Sequence, residues 1–227
     1  MKVDIFPQGR DNWGYLVSNK RGEALAVDPL ESSKYLDLLA KKNLSLQGIL
    51  LTHYHEDHIA GVPDLMAKSS VPVFGPDAAL KTPGFVSNKV KDEVLPIENF
   101  EIASNFLIGH SKSHCVYHFL PNNFLFVGDL LFHLGCGRVM DCEPETLYQS
   151  LQTLKSFPVQ SEIFVGHDYR EKNYRFATEL NPPYYSALDL DSLEESTTLE
   201  MELWWNPFLK AASFDEWWLL RQTRNLI

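Results

Sequence analysis

The stretch Leu51–Gly61, "LTHYHEDHIAG", sets His53, His55, Asp57 and His58 within six positions, directly after the apolar run "GILL". Side chains alternate along a strand, so two imidazoles spaced by two at a strand's end point the same way. The carboxylate and imidazole that follow are expected in the loop that turns toward Gly61. Two neutral imidazoles suit one metal ion, and Asp57 and His58 are placed to reach a second. Burying so many titratable groups without a cation costs free energy for each of them or forces large pKa shifts. The spacing therefore predicts a two-metal centre, and four ligands leave two such sites incomplete.

The missing ligands are sought where other strands end. "NFLIGH" finishes on His110, "NFLFVGD" on Asp129 and "EIFVGH" on His167, each a residue able to project from a sheet rim. Asp129 has two oxygens and suits a bridge between cations. Further strand-like segments are "YLVS", "EALAVD", "GILLTH" and "VPVFG". Between them a helix is expected from Ser32 or Ser33 to about Asn43, and another over Glu143–Ser156 with Pro144 in its first turn. The order is mixed α/β. After about Asp168 the character changes: a helix over Asn173–Leu180, the break "NPPYY", and a stretch from Ser186 to Leu203 with six acidic residues and no Lys or Arg. The closing "FDEWWLLRQTRNLI" reads as a helix with Arg221 and Arg224 on one face.

Bulk properties narrow the function. A chain of 227 residues buries a real core, and its 44% hydrophobic and 22% charged composition is that of a globular protein. No apolar run approaches a membrane span, and the N-terminus reads as a first strand and not as an export signal, so a cytoplasmic protein without a membrane role is expected. Cys115, Cys136 and Cys142 are too few for a disulfide framework and lack CxxC spacing. A net charge of −10 disfavours nucleic acid, and an anionic substrate would need a few placed cations.

The motifs "THYHEDH", "GHSKSH", "FVGDLLFHLGCGR" and "VGHDY", in this order and spacing, resemble the metallo-β-lactamase superfamily and, within it, the type II glyoxalases, or hydroxyacylglutathione hydrolases. The likeness continues at "NPFL" and "LRQTR". It implies a four-layer αββα sandwich over residues 1–168, the catalytic domain, followed by a small helical substrate-binding domain over 169–227. Carried onto this chain, it implies His53, His55 and His110 as ligands of one divalent metal, Asp57, His58 and His167 as ligands of another, and Asp129 as the bridge. Zinc is the expected metal; iron and manganese suit the same donors. The implied reaction is hydrolysis of S-D-lactoylglutathione to glutathione and D-lactate by a hydroxide shared between the metals, with Asp57 also orienting it.

By the same resemblance Arg138 of "GCGR" faces the glycine end of glutathione, Tyr169 of "GHDY" contacts substrate, and Arg221 and Arg224 form the basic pair of the C-terminal domain. The chain departs from the family at Met140, where a tyrosine donating to glutathione is usual, and at Glu56, where Trp is common. One hydrogen bond lost at Met140 is worth about 0.5 to 1.5 kcal/mol, enough to raise KM. The C-terminal part is also shorter than usual. His114 is read either as a support of the metal ligands or as a structural histidine; His118 and His133 are read as structural, and the cysteines as non-catalytic. Trp204, Trp205, Trp217 and Trp218 are expected to pack domains together, with a monomer as the expected state. The rival readings are a mononuclear iron dioxygenase acting on glutathione persulfide, which shares the fold and the "GCGR" loop, an exported β-lactamase, and an inactive metal-binding module.

Overall fold

A computed structural model describes residues 1–76, 87–189 and 195–226. The chain divides into two compact units, Met1–Phe106 with Ser113–Asn122, and Leu107–Lys112 with Asn123–Ile227.

The first unit is built around a six-stranded sheet in chain order: β1 (Lys2–Gln8), β2 (Asn12–Ser18), β3 (Glu23–Val27), β4 (Ser45–Leu50), β5 (Val73–Gly75) and β6 (Ser87–Lys89). β1, β2 and β3 form antiparallel hairpins, with Lys2 opposite Ser18 and Tyr15 opposite Val27. From β3 onward the pairs are parallel, which requires crossovers; α1 (Ser32–Lys42) joins β3 to β4. Ile49 pairs with Ala26 on one side and Val73 on the other. A strand paired on both edges in a parallel sheet is covered on both faces, hence the unbroken apolar run that ends in fully buried Ile49, Leu50 and Leu51.

Helices α1, α2 (Glu56–Ile59) and α3 (Val62–Ser69) complete this layer. Tyr35 and Leu39 of α1 and Leu65 of α3 pack on Leu16, Ala24, Ala26 and Ile49. Each such Leu or Ile contributes roughly 1.5–3 kcal/mol when buried from water. Three antiparallel strands, β7 (Glu93–Val94), β8 (Ile102–Phe106) and β9 (Cys115–Phe119), finish the unit, and β9 is buried throughout.

In the second unit β10 (Phe124–Gly128) lies parallel to a later strand, β13 (Glu162–Val165). The pairing has a register shift between Phe126 and Gly128. Such irregularities re-aim side chains, and this one falls just before Asp129. A short hairpin, β11 (Leu131–Phe132) with β12 (Gly135–Cys136), follows; then α4 (Pro144–Leu154) buries Leu147, Leu151 and Leu154. After β13 come α5 (Arg170–Leu180), α6 (Pro182–Tyr185), β14 (Thr197–Thr198), α7 (Leu199–Trp205), α8 (Pro207–Lys210) and α9 (Phe214–Asn225). The segment from 169 is thus helical, except that Thr197 and Thr198 pair with β13. Side-chain oxygens of Thr198, Asn206 and Ser213 cap α7, α8 and α9. Among the described residues no helix is long and apolar enough to cross a membrane.

Of the four tryptophans after residue 200, Trp217 is fully buried and Trp204 is exposed, with Trp205 and Trp218 between these extremes.

Candidate metal centre

In the first unit the backbone leaves the sheet after Leu50, so His53 and His55 stand on an irregular segment beyond β4 and not on the strand itself. Asp57 and His58, expected in a loop, occupy the single turn of α2, with His55 at its N-cap. The change of backbone does not scatter the imidazoles: His53 Nε2 and His55 Nδ1 face each other at 3.0 Å. His53 also lies against His58, ring centroids 4.2 Å apart.

A carboxylate absent from the sequence reading organises this cluster. Asp28, buried and at a left-handed φ of 45°, follows β3. It accepts from the Thr52 backbone N–H at 2.7 Å and from the Thr52 hydroxyl at 2.6 Å. Its Oδ2 also accepts from His58 Nδ1 at 3.0 Å. With its hydroxyl proton given to Asp28, Thr52 Oγ1 accepts from His53 Nδ1 at 3.0 Å. Both histidines therefore carry their proton on Nδ1 and turn a lone pair outward on Nε2, the form a metal requires. One ligand atom each from Asp28, His53 and His58 lie within 4.8 Å of one another. Asn12 Nδ2 donates to Asp57 Oδ2 at 3.0 Å and steadies the outermost carboxylate. His114, fully buried, stacks on His53 with centroids 5.2 Å apart, so it supports a candidate ligand by packing.

The second unit brings His110, Asp129 and His167 together. Asp129 Oδ2 lies 3.7 Å from His110 Nε2 and 3.3 Å from His167 Nε2. All three side chains are buried. His110 Nδ1 donates to the Arg138 carbonyl at 2.9 Å, which again leaves Nε2 for a cation. The approach is tight enough to demand glycine. A Cβ on Gly137 would sit 2.0 Å from the Asp129 carbonyl oxygen, and one on Gly109, at φ +142°, would sit 2.3 Å from Leu147 Cα. His167 stacks on Tyr169, centroids 5.0 Å apart and planes 4° from parallel.

A cavity of about 310 Å³ opens beside Tyr169, with Arg138, Lys172, Asn173, Arg221 and Arg224 in its wall. Arg221 is 4% exposed and donates from Nη1 to the Cys136 carbonyl at 2.7 Å. Arg224 Nε donates to Asn173 Oδ1 at 3.1 Å. Burial, then the charges of Arg221 and Arg138, lower the Arg224 pKa from its usual value. An anion placed beside Arg224 would relieve that repulsion. Met140 is exposed at 60%, and Lys172, which sequence reasoning passed over, stands in the cavity wall. A spacing signal for Lys172 existed: it lies three after Tyr169, the N-cap residue of α5, and so within one turn of it.

The remaining polar groups separate into roles. His133, buried, bonds Glu202 Oε1 through Nδ1 at 3.1 Å, as a structural histidine does. Glu202 also accepts from Leu134 N, Thr197 Oγ1 and Asn206 Nδ2, while Asn206 donates to the Phe132 and Gly135 carbonyls; α7 and α8 thereby clasp the β11–β12 hairpin. Burial pushes the thiols of Cys115 and Cys136 up, and burial with the Asp141 charge does so for Cys142, so all three are protonated near neutral pH.

The donor sets fit divalent cations. Each holds outward-facing imidazole nitrogens beside a carboxylate, and such mixed N/O donors suit zinc, iron and manganese.

Comparison with known proteins agrees. Residues 8–86 match the metallo-beta-lactamase superfamily. The chain is 34% identical to the hydroxyacylglutathione hydrolase of Vibrio parahaemolyticus, covering 95% of this chain and 88% of that protein. It is 32% identical to that of Actinobacillus pleuropneumoniae, covering 99% of each. Among solved structures, ETHE1 from Myxococcus xanthus superposes with TM-score 0.80 at 21% identity, over 100% of this chain and 92% of that one, a likeness of fold. TTHA1623 in a di-iron-bound form gives 0.65 at 28% identity, over 91% and 100%. The fold is the α/β sandwich of the metallo-β-lactamases, and the chain belongs to the hydroxyacylglutathione hydrolase family of that superfamily.

Proposed function

We propose that this chain hydrolyses S-D-lactoylglutathione, a 2-hydroxyacylglutathione thioester, to glutathione and D-lactate in a metal-dependent reaction. The observation that carries the reading is the convergence of His110 and His167 on Asp129 Oδ2, at 3.7 and 3.3 Å, in the same unit as a cationic cavity. In this reading His53, His55 and His110 hold one cation, Asp57, His58 and His167 hold a second, and Asp129 serves both. When bound, two divalent cations supply a hydroxide near neutral pH and neutralise the oxyanion of a tetrahedral intermediate.

The chain's own residues do the rest. Asp28 and Thr52 keep His53 and His58 in the Nδ1–H form. The Arg138 carbonyl does the same for His110, so an arginine side chain facing substrate and a ligand's orientation are set by one residue. Arg138, Arg221 and Arg224 meet the carboxylate of glutathione, and Tyr169 flanks the thioester while stacking on His167. The body of residues 1–168 then carries the chemistry and 169–227 supplies most of the thiol-binding cations. Zinc is the proposed metal, with iron next because a 28% identical neighbour was solved in a di-iron-bound form. A monomer working in the cytoplasm completes the proposal. The protonated cysteines leave the nucleophile to water.

The test is steady-state release of glutathione from S-D-lactoylglutathione by purified protein, before and after chelation and metal return. Saturable hydrolysis lost on chelation and restored by metal supports the reading. Metal-loaded protein that leaves the thioester intact overturns it; oxygen uptake on glutathione persulfide would then point to the dioxygenase.

A further inference from the structure

Of the four cations that line the cavity, Arg221, buried, and Arg224, half-buried, are engaged by hydrogen bonds to Cys136 O and Asn173 Oδ1, while Arg138 is exposed on the loop after β12. Lys172 differs from them. It is exposed on the first turns of α5, and its Nζ stands 5.2 Å from the centroid of the Tyr169 ring, whose plane lies parallel to that of His167. An ammonium over an aromatic face is held in place by the ring quadrupole while its N–H donors stay available. Among the described residues no carboxylate side chain lines the cavity. Lys172 thus adds an exposed, ring-held positive charge to the wall of a cavity in which Arg221 and Arg224 are already engaged. Fixed interior arginines set the geometry of a bound carboxylate. A rim lysine instead raises the encounter rate and the penalty on a neutral competitor.

We infer that Lys172 is a specificity-determining residue that selects thioesters whose thiol half ends in a carboxylate over the same thiols with a neutral end. The inference rests on the proposed thioesterase reading, and it concerns this chain's charge at one position, beyond the cations carried over from the family. It also offers a physical answer to Met140: a hydrogen-bond donor lost from one loop is offset by a charge from another element.

The experiment pairs Lys172→Met with the glycine carboxamide of the ligand. Binding of S-methylglutathione and of its carboxamide is measured by calorimetry on the metal-loaded protein, and kcat/KM is measured on the two matching lactoyl thioesters. Lys172→Met should weaken S-methylglutathione binding about 3- to 10-fold, the range of a partly screened charge contact, while the carboxamide changes less than about 2-fold. In turnover the loss should appear in KM and fade as salt rises. Lys172→Arg should restore the acid-over-amide preference. Arg175→Gln removes the same charge from the same helix but lies outside the cavity wall, and it should leave that preference intact. Equal losses for acid and amide, or no loss for either, overturn the inference. A wild-type protein that binds S-methylglutathione but hydrolyses neither thioester overturns the proposed reaction, and the calorimetric ratios still decide the role of Lys172.

Discussion

The two units supply their candidate ligands by opposite means. In the first, four candidate ligands sit within six positions, and side chains orient two of them: Asp28 and Thr52 hold His53 and His58. In the second, His110, Asp129 and His167 come from three separate segments, and a backbone carbonyl, that of Arg138, orients His110. The first cluster is encoded locally and can be retuned one side chain at a time. The second depends on where a hairpin lies, and that hairpin is fixed from a distance by glycine contacts and by α7 and α8.

The largest expected effect tests the point of convergence in the second unit. Asp129→Asn should cut turnover by about three orders of magnitude, since it removes charge at the reacting centre, while the circular dichroism spectrum stays native. Unchanged turnover would remove Asp129 from the site and leave the first cluster to act alone.

Asp28→Asn attacks the other side of the comparison. An amide in place of the carboxylate weakens the hold on Thr52 and His58, and metal affinity measured by competition with a chromophoric chelator should fall about 10- to 100-fold. Wild-type affinity would show that the first cluster needs no side-chain support, and the contrast between the units would fail.

Removal of Glu202 reaches the second site through its scaffold. Glu202→Ala leaves His133, Leu134 N and Thr197 short of a buried acceptor, and it should cost about 3 kcal/mol, read as a drop in Tm. Loss of turnover beyond the unfolded fraction would show that the hairpin's position matters to the site.

Glycines sharpen the same contrast at smaller cost. Gly137→Ala drives a Cβ toward the Asp129 carbonyl at 2.0 Å, whereas at Gly48 the nearest atom is a flexible Leu25 methyl at 3.3 Å. The former should cost about 1–3 kcal/mol by denaturant titration and the latter less than about 1 kcal/mol. Equal costs would mean that the hairpin yields as readily as the sheet core.

The least effect is expected away from both clusters. The Asp4 carboxylate accepts from Lys42 and raises its pKa above 10.5. A cation with a raised folded pKa adds stability that is complete below about pH 10 and fades as pH rises through the folded value. The pair is partly exposed, so Lys42→Met should cost less than about 1 kcal/mol at pH 7, and the difference from wild type should shrink above pH 10.

Sequence reading succeeded where physics is local. "GILL" followed by HxHxDH marked the buried strand and the imidazoles that gather just beyond it, and helices expected from Ser32 and over Glu143–Ser156 occur at Ser32–Lys42 and Pro144–Leu154. Even there it placed His53 and His55 on a strand and Asp57 and His58 in a loop, because short apolar runs do not announce where pairing stops. Asp28 was missed since "AVDPL" carries no metal spacing; its part emerges only when β3 and β4 lie side by side. Lys172 was passed over because an exposed lysine on a polar helix looks like solvated surface until the cavity is formed. The clasp of Glu202 and Asn206 on the hairpin spans about seventy residues of sequence, and nothing in the acidic run containing Glu202 pointed to a partner so far away.

The proposed hydrolysis draws on both clusters, and zinc stoichiometry tests that dependence. The most direct measurement titrates metal-free protein with zinc while following S-D-lactoylglutathione hydrolysis. The expected result is a rate that rises to its plateau at two equivalents of zinc per chain in wild type, and no comparable plateau in Asp129→Asn. A full rate at one equivalent, or no hydrolysis at any loading, would contradict it.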